Sequence, residues 1–550
     1  MRDRMKAWGI AKRTAFNVAV TLIFGFVFFY TEVPAINLHN PGLYWFVILL
    51  SAVYCAVALF GNGLTRSATP REIIDGIKKS CRIPALICVG LIAIFIIGNI
   101  ISWPIFRANA YQELLPVENG NFAEDVTELS FDKIPLLDEA SAIRLGDRKL
   151  GELADVVSQF EVSTVYTQIN YSSRPIRVTY LEYGDFFKWL NNVKEGLPAY
   201  ITVDMTTQET EVVRLSEGIK YSPSEYFNRD LDRFLRFNYP TYMFATPTFE
   251  IDDDGMPYWV CSRISRTIGL FGGTDVIGVV LVNAITGESS YFDLGEVPTW
   301  VDRVYNAPLI IEQYDYHGTY INGWLNSLVG QKGVTVTSEG SNFIAMNDDV
   351  YMYTGITSVG NDESNVGFIL TNQRTKETKY YAAAGATEYS AMDSAQGVVQ
   401  DLSYSATFPL LLNISGQPTY FMALKDSTSL VKMYAMVNEQ QYQIVATGAT
   451  VADCEQEYVR LLAQNNVIAE GEAENIVESS VEDGVVDDIR SAVIDGSTYY
   501  YIRLLGDDFY YRISAIESEN AVIINVGDNV SVQYTETEGA IRNAKSIELK

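Results

Sequence analysis

Side chains able to do chemistry are scarce in this chain of 550 residues, and their spacing excludes more than it allows. There are two histidines, His39 and His317, the second inside Gln313-Tyr-Asp-Tyr-His-Gly-Thr-Tyr320. A His-based triad or a multi-His metal site cannot be assembled from two residues so far apart. Of five cysteines, Cys55, Cys81 and Cys88 lie in or beside apolar stretches, leaving Cys261 and Cys454. Those two could pair, but no spacing rule assigns the bond, and two buried thiols are the simpler reading. Glu250-Ile-Asp252-Asp253-Asp254-Gly255 has the oxygen ligands and turn glycine of half a calcium loop. Its twelfth position is Cys261 where an EF-hand needs a bidentate carboxylate, so a solvated hairpin turn is expected, with weak calcium binding left open. Neither a phosphate-binding glycine loop nor a nucleophile elbow nor a zinc spacing is present. The expectation is a non-enzyme without metal or cofactor.

Carboxylates also recur in a pattern. Val203-Asp-Met-Thr-Thr-Gln-Glu-Thr-Glu-Val-Val213, Val282-Asn-Ala-Ile-Thr-Gly-Glu-Ser-Ser-Tyr-Phe292 and Thr371-Asn-Gln-Arg-Thr-Lys-Glu-Thr-Lys-Tyr-Tyr381 share one layout. Asp or Asn is followed three residues on by Thr207, Thr286 or Thr375, then by Glu209, Glu288 or Glu377. The markers stand 79 and 89 residues apart. Apolar β-formers flank a polar centre each time, which predicts a hairpin. A hairpin-tip Glu is solvated and has no neighbour to shift its pKa, so the repeat reads as a fold-specifying turn.

The elements that follow also match. Helices are expected at Pro223–Asn238 with Ser222 as N-cap, at Pro298–Asn306 and at Ala391–Leu402. Turns at Gly255, Gly340 and Gly416 then precede strands. An earlier copy is expected as strand Pro175–Tyr180 and helix Tyr183–Val193, and a partial later one as Tyr434–Val445 and Thr450–Gln464. A helix laid across an antiparallel sheet makes each unit α+β. The Val282–Tyr291 element resembles the hairpin of PepSY-type, cystatin-like modules, which repeat outside the membrane of Gram-positive bacteria. The chain up to about residue 465 resembles a family of uncharacterised multi-pass membrane proteins from such bacteria. That resemblance implies extracytoplasmic modules that bind proteins or restrain peptidases; Val437-Asn-Glu-Gln-Gln-Tyr442 departs from the motif in lacking its Thr and Gly.

What carries these modules is apolar. Thr14–Tyr30, Leu43–Phe60 and Ile83–Ile101 hold no charged residue and are each near the length of a membrane-spanning helix. Arg2, Arg4, Lys6, Lys12 and Arg13 precede the first, and Arg66, Arg71, Lys78, Lys79 and Arg82 lie between the second and third. Basic short loops stay in the cytoplasm, so residues from about 107 to 550 are expected outside, in a multi-pass plasma-membrane protein with a cytoplasmic N-terminus. No clear cleavage site follows the first stretch, which favours an uncleaved helix over a signal peptide. The stretches lack the mid-membrane ionisable groups that transport needs and read as an anchor, with Gly90, Gly98 and Asn99 as an alternative close-packing face for a membrane partner. Residues 1–107 hold 11 Lys and Arg against 4 Asp and Glu, and residues 108–550 hold 29 against 64. So acidic a region repels nucleic acid.

The expected division is 1–107 transmembrane, 108–195 an α+β lead-in, 196–275, 276–364 and 365–465 three α+β repeats, 466–486 an acidic linker, and 487–550 a small barrel. The barrel resembles an OB-fold, with strands at Ser491–Ile494, Tyr499–Leu505, Phe509–Ile516, Ala521–Val526 and Val530–Tyr534 and a turn at Asp495-Gly496. The functional expectation is a membrane-anchored scaffold that binds an envelope protein or peptide. A regulator of an envelope peptidase and a cell-wall hydrolase using paired carboxylates are the alternatives. Candidate partner-binding residues are Tyr314, Tyr316, His317, Tyr320 and Trp324, and in the barrel Tyr499, Tyr500 and Tyr501.

Overall fold

The structure is a computed structural model that describes residues 10–61, 71, 81–126, 134–151, 158–346, 348–428, 430–469, 479–494, 497–514, 518, 520–535 and 540–550. Most of the basic residues that argue for sidedness, and the Asp495-Gly496 turn, lie outside them. Each apolar stretch forms one helix: α1 (Ile10–Glu32), α2 (Pro41–Gly61) and α3 (Arg82–Ser102). All three are long and apolar enough to cross a membrane. Phe28 stacks on Phe46 at 5.7 Å where α1 meets α2. Trp103 then turns extended, Pro104 starts a short helix α4 (Pro104–Gln112), and strand β1 (Val117–Asn119) follows.

Residues 134–438 are four copies of one unit, each a helix followed by an antiparallel sheet. The first comprises α5 (Glu139–Gly151), β2 (Phe160–Val162), β3 (Thr167–Tyr171), β4 (Arg174–Tyr183), α6 (Phe186–Asn192), β5 (Leu197–Asp204) and β6 (Thr210–Ile219). The second has α7 (Leu231–Asn238), β7 (Met243–Phe244), β8 (Thr248–Ile251), β9 (Pro257–Ile268), β10 (Gly272–Asn283) and β11 (Ser289–Phe292). The third has α8 (Ala307–Thr319), β12 (Thr335–Thr337), β13 (Asn342–Met346), β14 (Asp349–Ser358), β15 (Asn361–Asn372) and β16 (Thr378–Ala386). The fourth has α9 (Glu388–Val398), β17 (Ser405–Ala406), β18 (Leu410–Ile414), β19 (Gln417–Lys425) and β20 (Val431–Asn438). In every copy two short strands pair with the first long strand, which pairs with the second. β1 joins the third sheet, parallel to β16, with Val117 opposite Thr378.

The repeat holds atom by atom. Asp204, Asn283 and Asn372 each accept two backbone N–H bonds through Oδ1, from residues two and three further on. Thr207, Thr286 and Thr375 each accept the N–H of the following Glu. Gln208, Gly287 and Lys376 close the turn at φ of 62°, 74° and 67°. That left-handed conformation suits the glycine best and is tolerated here because the side-chain bonds over-determine the turn. The residue after each Asx, Met205, Ala284, Gln373 or Glu439, accepts through its carbonyl an N–H from the segment entering its own copy or, for Ala284, from Lys220 and Tyr221 before α7. Replacing Asn283 with Ala strands the N–H groups of Ile285 and Thr286 and should cost about 1–2 kcal/mol. A denaturant midpoint unchanged in Asn283→Ala would refute that role.

The copies are therefore helix first, and the expected boundaries are out of phase. A division at 275/276 cuts β10, one at 364/365 cuts β15, and one at 195/196 parts β4 from the β5 it pairs with. The hairpin turn is the most legible part of the unit but sits near its end. Four helix positions also need correction. Asn306 does not end a helix; its side chain accepts Leu309 N–H and begins α8, so 298–306 is a connection. Asp230, not Ser222, caps α7, Thr387 caps α9 ahead of Ala391, and Asp185 caps α6 two residues after β4 ends at Tyr183. Where a proline suggested the start, at Pro223 and Pro298, a capping side chain further along, Asp230 or Asn306, sets it instead.

Sheet two is buried on both faces. Trp259, Cys261, Val280 and Val282 pack into a core with the first copy, whereas Val260, Val279 and Leu281 pack with α8, Met352, Ile356 and Ile369 of the third. Strand alternation delivers this directly, since neighbouring side chains point to opposite faces. Copies one to three thus share continuous cores.

Residues 444–550 form a second compact unit. β21 (Val445–Gly448) packs on α10 (Val451–Gln464), whose N-terminus carries a reciprocal Thr450–Asp453 capping box. A closed barrel follows in the order β22 (Ser479–Ile494), β23 (Ser497–Leu504), β24 (Tyr510–Ser514), β26 (Ile541–Leu549), β25 (Asn529–Thr535). β22 begins inside the stretch expected to be a linker, and residues 470–478 of that stretch lie outside the described ones. Residues Asn520–Ile523 form a helical turn where a strand was expected, and 541–549 supply the fifth strand instead. The run Ala521–Val526 is apolar enough for a strand, but Asn525, which accepts no ladder partner, and Gly527 at φ 99° break it.

Candidate functional site

The tyrosine-rich segment 314–320 is the second half of α8, and it lies against α4 just beyond the end of α3. Tyr314 is buried in the core shared with sheet three, so it holds the helix down and is not offered to a partner. His317 Nδ1 lies 3.1 Å from the carbonyl of Gln112, and burial lowers its pKa, which keeps the imidazole neutral at pH 7. Tyr316 and Tyr320 meet the ring of Tyr111 at 4.7 and 6.3 Å. The Tyr111 hydroxyl in turn donates to the carbonyl of Ser102, at 2.7 Å. Trp324 is half-buried in the turn after α8. These five residues are thus brought to one place, at the root of the third apolar helix.

The same root holds groups that spacing does not reveal. The tip of the β9–β10 hairpin, Gly269-Leu-Phe-Gly-Gly273, reaches the helices. Ser102 Oγ accepts from the N–H groups of Leu270 and Phe271, at 2.9 and 3.0 Å. His39 Nδ1 lies 2.9 Å from the Leu270 carbonyl. The Phe271 ring packs against Tyr44 at 5.4 Å and Phe95 at 5.2 Å. It lies so close to Gly98 that a Cβ there would stand 2.6 Å from the ring, which is why that position takes glycine. From α7, Arg233 Nε donates to the Tyr30 carbonyl at 3.0 Å and Arg236 Nε to that of Val33 at 2.8 Å. Two guanidinium groups therefore satisfy carbonyls at the C-terminal end of α1, where the helix dipole favours positive charge. An apolar hairpin tip bracketed by glycines was the available sequence signal, since hairpin tips are ordinarily polar.

Carboxylates gather at two interior points, both beyond the reach of the motif. Glu250 of β8 accepts from the N–H groups of Asp302 and Arg303 and from the Thr248 hydroxyl, while Asp302 accepts from Asn170 N–H at 2.6 Å. Burial raises the pKa of Glu250 to about 7 and pushes Asp302 well up; it pulls Arg303 down to about 10. Arg303 lies over the Phe343 ring at 4.1 Å. Copies one, two and three therefore meet at a junction whose two carboxyl groups are buried and whose guanidinium is half-buried. The second point is Glu388, at the start of α9, which accepts from the Tyr353 hydroxyl at 2.7 Å and Gly355 N–H at 2.8 Å. Glu439 is also fully buried, neither of its carboxylate oxygens has a hydrogen-bond partner, and burial with the nearby charge of Glu388 raises its pKa to about 8.

A cavity of about 260 Å³ is lined among others by Leu137, Glu139, Arg177, Phe343, Phe408 and Phe421. Arg177 is almost fully buried there and its Nε has no hydrogen-bond partner. Asp138 beside it is paired with Lys425 at 2.6 Å. Asp252 Oδ1 accepts the N–H groups of Asp254 and Met256, which makes this segment an Asx turn. Among the described residues no three His, Cys, Asp or Glu side chains converge on a metal-sized site. Cys261 and Cys454 are both buried, and neither is in a disulfide.

In the barrel, Tyr499, Tyr500 and Tyr501 lie half-buried along β23. Arg512 stands over Tyr499 at 5.5 Å, and Arg490 and Arg503 flank Tyr510 at 5.1 and 5.3 Å. Asp487 and Asp488 pair with Arg503 and Arg490, so the aspartates are internally balanced. Tyr511 is fully buried and belongs to the barrel core. Compared with known protein families and with curated proteins, the chain matches none of them.

Proposed function

We propose that this is a membrane-anchored interaction protein of a bacterial envelope, which holds four cystatin-like α+β copies and an OB-like barrel outside the plasma membrane to bind an envelope protein or peptide. The location of the ionisable groups is the observation that carries the reading. Glu250, Asp302 and Glu388 are walled in and bonded from one copy to the next, so they stiffen a binding body and meet no substrate. The PepSY resemblance is supported by the helix laid on an antiparallel sheet in each copy. The OB resemblance is supported by the strand order, by the parallel β24–β26 pair and by the helical turn between β24 and β25. β6 is a ten-residue strand at the open edge of sheet one, and an extended peptide adds to such an edge through main-chain bonds. The Arg177 cavity supports an apolar ligand with a carboxylate.

The test is photocrosslinking of the full chain in intact cells from positions on β6 and around the cavity, followed by mass spectrometry. Capture of one envelope protein or peptide from both regions is expected. Capture of a peptidase whose activity changes with the full chain would shift the reading to regulation. No capture, together with turnover of wall polymer by the purified chain, would replace it with the hydrolase reading.

A further inference from the structure

Two groups of large apolar side chains stand exposed on the sheet copies, and both adjoin the ends of the apolar helices. The first consists of Phe187, 73% exposed, Leu190, Phe227, 54% exposed, and Phe237. Phe187 meets the ring of Phe186 at 5.9 Å, and Trp189 bridges Phe186 and Phe227 at 5.3 and 5.6 Å. Phe237 packs on Phe29 and Tyr30 of α1, at 6.0 and 6.1 Å. Arg233 completes the link: while Nε holds the Tyr30 carbonyl, Nη1 donates to the Phe227 carbonyl at 3.0 Å. The backbone at Phe227 is therefore one guanidinium away from the last turn of α1. Phe227 adopts φ 57°, a left-handed conformation that bulky residues avoid, and its ring is left in solvent. The second group is Leu325, Leu328 and Val329, the last 80% exposed, in the turns after α8 that pack against α4. Helix α4 starts two residues beyond α3, beside the exposed Trp103.

Exposed apolar patches of this kind mark an interaction surface. Their position names the partner. Phe29 and Tyr30 lie near the end of a 22-residue span, which places them at the edge of a hydrocarbon layer about 30 Å thick. Aromatic rings settle at that depth, where an apolar body and a polar rim are both accommodated. Resting on the reading of α1–α3 as membrane spans, we infer that both patches are seated in the headgroup–acyl boundary of the same bilayer, so that copies one to three touch lipid directly as well as through the stem. The ligand is lipid, not protein.

The test places p-benzoylphenylalanine singly at Phe187, Phe227, Leu328, Ile23 and Tyr389 of the full chain, reconstituted in phosphatidylglycerol–phosphatidylethanolamine vesicles and irradiated. Ile23 lies in mid-α1, and Tyr389 is an exposed aromatic on α9. Lipid adducts are expected at 23, 187, 227 and 328 and none at 389. Adducts at 23 with none at 187, 227 and 328 overturn the inference and leave the spans standing. Absence at 23 as well overturns the spans and the inference together. Protein–protein adducts at 187 or 328 in place of lipid adducts overturn it in favour of a docking face.

Discussion

Raising the pH through the interval from about 4.5 to about 8 is expected to weaken the first compact unit, and Glu439 carries a large share of the loss beside Glu250 and Asp302, whose pKa values burial also raises. The Glu439 carboxyl is sealed from solvent, makes no hydrogen bond and faces the charge of Glu388. Burial first, and then that charge, lift its pKa to about 8 from the ordinary 4.5. The native state keeps the proton over the whole interval, whereas the unfolded chain releases it at the bottom. Unfolding thus liberates a proton, and stability falls as pH rises. It is fully present below the unfolded value and fully lost above the native one, an effect of order 4 kcal/mol. Glu439→Gln carries the neutral form at every pH and should make the dependence shallower, leaving the part that Glu250 and Asp302 contribute. Urea midpoints on both sides of the interval measure it; parallel profiles for the two proteins would refute the assignment.

The second large effect is expected from Arg236. One guanidinium serves the carbonyls of Val33, Tyr239, Pro240 and Tyr242, at 2.8, 3.4, 3.2 and 2.6 Å. Charged donors make the stronger hydrogen bonds, and their loss leaves several acceptors stranded at once. Arg236→Met preserves much of the stem packing and should still cost about 3 kcal/mol. Because the Val33 bond and the neighbouring Ile36 N–H to Pro240 bond hold the α1–α2 loop, the loss should be local. Hydrogen exchange at residues 33–40 is expected to rise steeply while that of sheet three stays constant. Arg236→Lys, a point charge without the planar fork, should restore only part of the protection. Unaltered exchange in Arg236→Met would show that the loop is held by other means.

What was legible in the sequence is what is local. The Asx–Thr–Glu turns carry their own hydrogen bonds within six residues, so the hairpins at 204–209, 283–288 and 372–377 were readable from spacing. The apolar helices were readable because no competing structure tolerates such runs. The phase of the repeat was not, since α7 and α9 are short and their caps, Asp230 and Thr387, stand among many similar residues. Pro298 drew the helix to the wrong side of Asn306, where Pro308 already occupies the first turn of α8. Glu250, Asp302, Glu388 and Glu439 look like any surface acid in the sequence. The surroundings that bury them come from far along the chain, such as Tyr353, 35 residues from Glu388, Asp302, 52 from Glu250, and Asn170, 132 from Asp302. The stem contacts are longer still, with Arg233 and Tyr30 separated by 203 residues.

The strand β1 carries a consequence for how the molecule is made. Synthesis proceeds from the amino terminus, so Val117 emerges long before Thr378, the residue it must lie against. Until then Leu115, fully buried in the finished protein in a core that includes Met352, Ile356 and Ile369, lacks part of its cover. Closing so wide a loop is slow, because its entropy is lost before any contact rewards it. The first ribbon after the three apolar helices is therefore among the last to be secured, and every ribosome-bound intermediate shorter than the third copy displays a greasy, unfinished edge next to those helices.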